Sequence, residues 1–317
     1  MSAPKAVRRV VLDGLPWVLF RTAGGTACLL QDRCAHRCMP LSAGRVCGEQ
    51  IECPYHGWRY DGAGRLAAVP AFEPRPDCSL PRLQVRESQG FIWATAAANP
   101  PQPPQFAHWE EPGWTCWVMQ SHFKASVEAC LENFLDCPHA TFVHRYWFRA
   151  PTARPVRAIV RSLPDGAEAE YFEEPRERSL VWTLLAPRQG TMQHTDRFIA
   201  PATSRVDYVF PSGLAYIITS HCTPVDNSTT AVTTVIGFKS RWGRLVKLFF
   251  KPLARRILQQ DIDMLALHAK NRDWPNPPPL LSTPADLLGP SIWHWRRALA
   301  AGQIPTPHEP RLVTLLL

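Results

Sequence analysis

The chain has no run approaching the ~20 uninterrupted apolar residues that a membrane-spanning helix needs. Its opening residues also lack the basic, apolar and small-residue segments of a secretory leader, since Arg8 and Arg9 are followed only by the short VVLDGLPWVLF. These absences speak against membrane and export classes and set the expectation of a cytoplasmic protein without a membrane partner. No G-x-G-x-x-G follows a strand-like segment, so no nicotinamide or flavin site is evident. The formal net charge of +8 comes from scattered basic residues with no RRM, KH or helix-turn-helix pattern, which argues against nucleic acid and suits steering toward an acidic electron donor. No internal repeat is found.

What is present begins with ten cysteines in 317 residues, enough chain for one large domain or two ordinary ones. Without a leader, that number argues for metal ligation plus buried thiols, not for a disulfide framework. Cys28, Cys47, Cys78, Cys116, Cys130, Cys137 and Cys222 show no second ligand spacing and read as small buried hydrophobes. Cys34, His36, Cys53 and His56 differ, being spaced C-x-H-x16-C-x2-H in two short loops, CAHRCMPLSAGRV and CPYHGWRYD. Each loop offers one sulfur and one nitrogen, which suits a two-iron cluster with two Cys on one iron and two His on the other. A tetrahedral Cys2His2 zinc site is the alternative, although zinc knuckles usually pair like ligands and the single residue between Cys34 and His36 is tight for one.

Residues 6 to about 96 read as short strands separated by turn residues, with Gly24-Gly25 and Asp61-Gly62 as the strongest turn signals. The stretch NPPQPPQFAHWEEPGW then reads as a stiff Pro-rich linker. Beyond it, helical periodicity spans Ala125 to Asp136, with Val127, Cys130, Leu131, Phe134 and Leu135 on one face. Strand-like segments follow from about Val156 to Phe238: AEYFEEP, SLVWTLLA, VDYVFP, LAYIITSHC and TAVTTVIGF. A long helix is expected from about Leu253 to Lys270, and the basic, amphipathic RWGRLVKLFFK before Pro252 reads as a packed surface helix. The expected organisation is α+β, with residues 1–100 a β-domain, 101–114 a linker and 115–317 a second domain.

A second constellation lies in ENFLDCPHATFVH, where His139 and His144 stand five apart just after Pro138. Five residues on a regular helix do not share a face, so the two imidazoles converge only if Pro138 breaks it. On the later helix an apolar stripe of Leu253, Ile257, Met264, Leu265 and His268 is completed by Asp261. A carboxylate on a buried face is costly unless a cation or donors meet it. Asp263, two residues on, reads as solvated. Two His and one carboxylate with open positions left over is the donor set of non-haem Fe(II) oxygenases. Asp136 lies opposite the apolar stripe beside Glu132 and Asn133, on a face suited to solvent or a subunit contact. Phe142, Tyr146, Trp147 and Phe148 flank the ligand His and are candidates for an apolar pocket.

Together these motifs resemble the Rieske non-haem iron oxygenase α-subunits over nearly the whole chain: the two cluster loops, then N-x2-D-x2-H-x4-H as Asn133, Asp136, His139 and His144, then Asp261 in QQDIDML. One departure is Cys38, where the family commonly has Gly. The resemblance implies an all-β Rieske domain followed by a helix-grip catalytic domain of antiparallel sheet plus helices. It implies a Rieske [2Fe-2S] cluster on Cys34, His36, Cys53 and His56, mononuclear Fe(II) on His139, His144 and Asp261, and catalytic roles for Asp136 and Asn133, with Asp136 bridging His139 to His56 of a neighbouring subunit in a homotrimer. O2 is the implied co-substrate, with electrons from NAD(P)H through a separate flavin- and ferredoxin-type reductase. Chain length suits the homotrimeric branch that includes vanillate and dicamba O-demethylases, hence hydroxylation or oxidative O- or N-demethylation of a small aromatic or heterocyclic compound, as in aromatic catabolism. Ring dihydroxylation, a natural-product tailoring oxidation and a Rieske electron-transfer protein are the alternatives.

Overall fold

The computed structural model describes residues 7–97, 99–145, 147, 154–175, 191–240, 243–272 and 280–317. Tyr146, Phe148 and the segment SLVWTLLA lie outside them. Two compact units divide the chain, Met1–Gln105 and Phe106–Leu317.

The first unit is all β: β1 (Val7–Leu12), β2 (Leu15–Arg21), β3 (Ala27–Gln31), β4 (Arg45–Cys47), β5 (Gln50–Glu52), β6 (Arg59–Asp61), β7 (Leu66–Ala68), β8 (Arg82–Ser88) and β9 (Phe91–Thr95). They form a five-stranded sheet ordered β1-β2-β3-β8-β9 and a four-stranded sheet ordered β4-β5-β6-β7. Alternation supplies the core, since Val18 and Phe20 of β2, with Leu30, Ile51 and Tyr60, point inward and are fully buried. The expected turns form: Gly25 takes a positive φ between β2 and β3, and Asp61 accepts the N–H groups of Ala63 and Arg65 between β6 and β7. The strand-like segments of this stretch, VRRVVLDG, PWVLFRTAGG, TACLLQD, QIECPY, WRYDGAGRLAA and GFIWATAAA, leave out β4 and β8.

The second unit comprises β10 (Trp114–Phe123), α1 (Val127–Leu135), α2 (His139–Phe142), β11 (Pro155–Leu163), β12 (Gly166–Pro175), β13 (Thr191–Ile199), β14 (Thr203–Val209), β15 (Ala215–Asp226), β16 (Thr229–Lys239), α3 (Gly243–Arg272), α4 (Gly289–Ala300) and β17 (Arg311–Leu316). Its strands make one antiparallel sheet ordered β10-β16-β15-β14-β13-β12-β11-β17. Helix α1 starts where Ser126 caps it by accepting from the Ala129 N–H, and it buries Val127, Cys130, Leu131 and Leu135 against the sheet. Upstream of β10, His108 stacks on Trp114 with ring centroids 3.9 Å apart, which ties residues of the Pro-rich stretch to this unit.

Two helical expectations need correcting. Pro252 does not separate two helices, because α3 runs unbroken from Gly243 to Arg272 with Pro252 inside it. Phe250 and Ala254, on either side of that proline, are buried against Trp117 and Tyr216, and tertiary packing of this kind overrides local helix preference. The buried face of α3 is Phe250, Ala254, Ile257, Asp261 and Leu265, whereas Met264 and His268 are exposed. The true stripe follows the 3.6-residue period, and the expected one had drifted around the helix. No helix among the described residues is long and apolar enough to cross a membrane.

Candidate metal centres

Cys34 and Cys53 sit at the start of two loops with the same internal wiring. The Cys34 N–H donates to the Met39 carbonyl at 2.9 Å and the Cys53 N–H to the Trp58 carbonyl at 2.8 Å, while the Cys38 and Gly57 N–H groups return to the carbonyls of Cys34 and Cys53 at 3.0 and 3.1 Å. Both return positions are left-handed, with φ of 58° at Cys38 and 69° at Gly57. Glycine suits such a position, and Cys38 fills it with its sulfur 2.9 Å from Nη2 of Arg33. Asp32 anchors the first loop by accepting the Ser42 N–H at 2.7 Å and the Ser42 hydroxyl at 2.6 Å.

Both sulfurs are buried, and the rings of His36 and His56 lie 4.5 Å apart. Trp58 stacks on His36, and the Tyr60 hydroxyl lies 3.4 Å from the Cys34 sulfur. Nδ1 of His36 is buried with no protein partner. Burial pushes the Cys53 thiol up and the nearby Cys34 adds to this, while the N–H groups of Tyr55 and His56 favour its thiolate. Partial desolvation, then the charges of His56 and Arg37, hold His36 below the usual imidazole range, in the neutral form a metal needs. Two thiols near one another and two neighbouring imidazoles match the donor set of a Rieske cluster.

The second group comes from α1, α2 and α3. Helix α1 stops at Leu135, Asp136 caps it, and Pro138 opens the short α2 that starts at His139. His144 follows α2, and the two imidazoles meet edge to face at 5.1 Å. The break at Pro138 thus does what the spacing demanded. Oδ1 of Asp261 lies 3.1 Å from Nε2 of His144 and 3.6 Å from Nε2 of His139. Both contacts are ion-pair approaches, and Asp261 Oδ1 and His139 Nε2 are buried without a hydrogen-bond partner. The potential ligand atoms of all three residues fall within 4.8 Å of one another. Asp261 Oδ1 and His139 Nε2, with Nε2 of His144 beside them, make a set of two nitrogens and one carboxylate oxygen that suits a divalent metal ion with open positions.

The other nitrogen of each ring is occupied. Nδ1 of His139 is held by the Asp136 carbonyl, and Nδ1 of His144 lies 3.0 Å from Oε1 of Gln260. These acceptors place the ring proton on Nδ1 and leave Nε2 for a metal. Sequence reasoning missed Gln260, although it directly precedes Asp261. Burial works against the charge on Asp261, but the imidazoles of His139 and His144 outweigh it and keep the carboxyl below its ordinary range. Burial likewise opposes the charged form of His139, and Asp261 with Asp136 outweighs it in the opposite direction. Asp136 is half-buried instead of solvent-facing, and burial raises its pKa despite the charge of His139. Oδ1 of Asn133, one turn back on α1, is buried without a partner.

A cavity of about 820 Å³, its open mouth included, adjoins His139, His144 and Asp261. Its described walls are Met119 of β10, Phe134 and Ala140, residues of α3 including Ile257 and Leu258, and the inner face of β14, β15 and β16. Of the aromatic residues expected in a pocket, Phe142 is 80% exposed and Trp147 packs against the cluster around Trp117, so neither lines it. The strands supply Tyr208 and Tyr216 in their place.

Comparison with known proteins gives two family matches: the Rieske [2Fe-2S] domain over residues 1–86 and the vanillate O-demethylase oxygenase C-terminal domain over residues 123–302. The chain is 34% identical to the methylxanthine N1-demethylase NdmA of Pseudomonas putida over 63% of its own length and 58% of the relative's. It is 33% identical to 4beta-methylsterol monooxygenase of Methylococcus capsulatus over 53% of its length and 47% of the relative's. Matches to curated relatives span from 22% to 58% of those proteins. Among solved structures, NdmA of Pseudomonas putida with caffeine superposes at TM-score 0.79 and 22% identity, covering 96% of this chain and 90% of that one. Dicamba monooxygenase bound to dicamba gives 0.79 and 19% identity, over 94% and 95% of the two chains. At these identities the structural likeness speaks for the fold.

Proposed function

Because the chain belongs to the Rieske non-haem iron oxygenase α-subunits, we propose that it is the oxygenase component of a system that inserts one oxygen atom into a small aromatic or heterocyclic substrate. The reaction is hydroxylation of a C–H bond, and at an O-methyl or N-methyl carbon the product collapses to release formaldehyde. The convergence of His139, His144 and Asp261 beside an open cavity carries this reading. It also disfavours a pure electron carrier, which would need only the first unit.

Cys34 and Cys53 would hold one iron of the Rieske cluster and His36 and His56 the other, and His139, His144 and Asp261 would hold the mononuclear iron. When bound, the cluster supplies single electrons and the mononuclear site activates O2. The chain's own part is positional. Gln260 and the Asp136 carbonyl fix the rings of His144 and His139 with Nε2 inward. The cavity walls hold the substrate beside these atoms and keep bulk water out.

Asp136 is assigned the bridge from His139 to His56 of a neighbouring subunit in a cyclic homotrimer, with Asn133 supporting it from the preceding turn. The half-buried setting of Asp136 and the exposure of His56 support this assignment. Electrons would come from NAD(P)H through a separate reductase carrying flavin and a ferredoxin-type cluster. Residues 1–100 act as the cluster domain and 115–317 as the catalytic domain, joined through 101–114. The ten cysteines form no disulfide, which supports a reducing, cytoplasmic setting.

The test is a panel of methoxy-aromatics and methylated heterocycles given to the protein with a Rieske-system reductase, NADH and O2. Substrate-dependent oxygen uptake with matching formaldehyde is expected. Oxygen consumed and product oxidised without formaldehyde would exclude demethylation, and no turnover despite both metals in place would contradict the oxygenase reading.

A further inference from the structure

The wall of the cavity changes chemistry in rows across the sheet. Register sets Ser204 beside Ser220 and Ser220 beside Thr234; two residues along, Val206, Ile218 and Ile236 stand side by side; two further, Tyr208 pairs with Tyr216. Alternate residues of a strand share a face, so all eight look inward, and all eight line the cavity.

Within the hydroxyl row, Ser220 Oγ and Thr234 Oγ1 are 2.9 Å apart, and the Ser204 hydroxyl donates to the Ser220 carbonyl at 3.5 Å. Ser204, Ser220 and Thr234 are all buried. One member of the Ser220–Thr234 pair must donate to the other, which leaves the acceptor's own O–H for a ligand atom. Among the described residues, the lining beyond His139, His144 and Asp261 is hydroxyl, aliphatic, thioether or aromatic, with no cationic side chain. With no lysine or arginine in the described lining, a carboxylate buried against the hydroxyl row is costlier than a carbonyl that accepts one hydroxyl proton there.

Resting on the iron-site reading above, we propose that the cavity selects uncharged substrates: an apolar, flat body lies on Val206, Ile218 and Ile236, one acceptor atom meets the Ser220–Thr234 hydroxyls, and aryl carboxylates are rejected. The substrate class is a neutral methylated ring carrying a carbonyl-type edge.

Isosteric pairs that differ only in charge, such as a methoxybenzamide against the matching methoxybenzoate, test this directly. Binding to the iron-loaded protein is followed by calorimetry at neutral pH, with iron content determined on the same sample. The amide is expected to bind at least about tenfold more tightly. Thr234→Val and Ser220→Ala are each expected to weaken the amide roughly 3- to 10-fold while leaving methoxybenzene, which lacks the carbonyl, unchanged. Carboxylates binding as tightly as their amides, or no neutral member binding at all, would overturn the proposal. The two readings fail separately. A carboxylate preference in protein with full iron sinks charge selection alone, and an amide preference in protein that takes up no mononuclear iron sinks the iron-site reading while charge selection stands.

Discussion

Gln260 holds His144 from behind: its Oε1 lies 3.0 Å from Nδ1, while the next residue along the chain, Asp261, faces Nε2 of the same ring at 3.1 Å. One turn of α3 therefore both orients a ligand and supplies one. Gln260→Leu should lower affinity for the mononuclear metal about 10- to 100-fold, the usual effect of losing a group that orients a ligand. Gln260→Glu should keep most of it, since an acceptor remains. Chelator competition followed by iron analysis measures this, with the cluster's visible absorbance as the internal control. Loss of both metals together would instead indicate a general folding defect.

Cys38 occupies the place in its loop that Gly57 holds in the twin loop, both with positive φ. Cys38→Gly should raise stability by about 0.5–1 kcal/mol, because a left-handed residue with a Cβ costs roughly 1–2 kcal/mol and the lost Arg33 contact offsets part of the gain. Denaturant unfolding of the holoprotein, read at the cluster absorbance, gives the sign. A destabilised variant would mean that the Arg33 contact outweighs the backbone strain.

Burial lowers the His221 pKa to about 4, from about 6.5 for a free imidazole, beside the Thr203 hydroxyl at 2.8 Å. Between these values the unfolded chain binds a proton that the folded chain does not, so stability is full above the unfolded pKa and falls as pH drops toward the folded one. Wild type should lose about 1–2 kcal/mol more than His221→Gln between about pH 7 and about pH 5, the full shift being discounted because the ring is only partly buried. Parallel losses in the two proteins would show that His221 is not the group responsible.

Asp136→Asn should leave cluster and mononuclear iron in place and nearly abolish turnover. Iron analysis and the reduced-cluster EPR signal establish the first half, and formaldehyde or hydroxylated product the second. Retained turnover would remove the bridging role and leave Asp136 as a half-buried helix cap.

Much of both candidate sites was legible in the sequence because residue identity and spacing are local properties. Two Cys-His pairs in short loops, and two His on either side of a break forced by Pro138, carry their geometry in a few consecutive residues. Asp261 was legible as a carboxylate on a buried helix face even though the stripe drawn around it wrongly included Met264 and His268. Gln260 was not, since its role depends on a ring 116 positions away in the chain. The row of Ser204, Ser220 and Thr234 was equally hidden, because it exists only once the register of three strands is known. Strands β4 and β8 escaped because one is only three residues long and the other, RLQVRES, carries only two apolar side chains and reads as polar loop.

The central claim is that one chain carries both a Rieske cluster and a mononuclear iron site. The most direct measurement is iron and zinc per chain on protein purified without air, together with its EPR spectrum after dithionite reduction. The account predicts about three irons per chain, two in the cluster and one on His139, His144 and Asp261, with a Rieske-type signal. Two irons with that signal, and no third taken up on addition of Fe(II), would contradict the second site; zinc without the signal would contradict both.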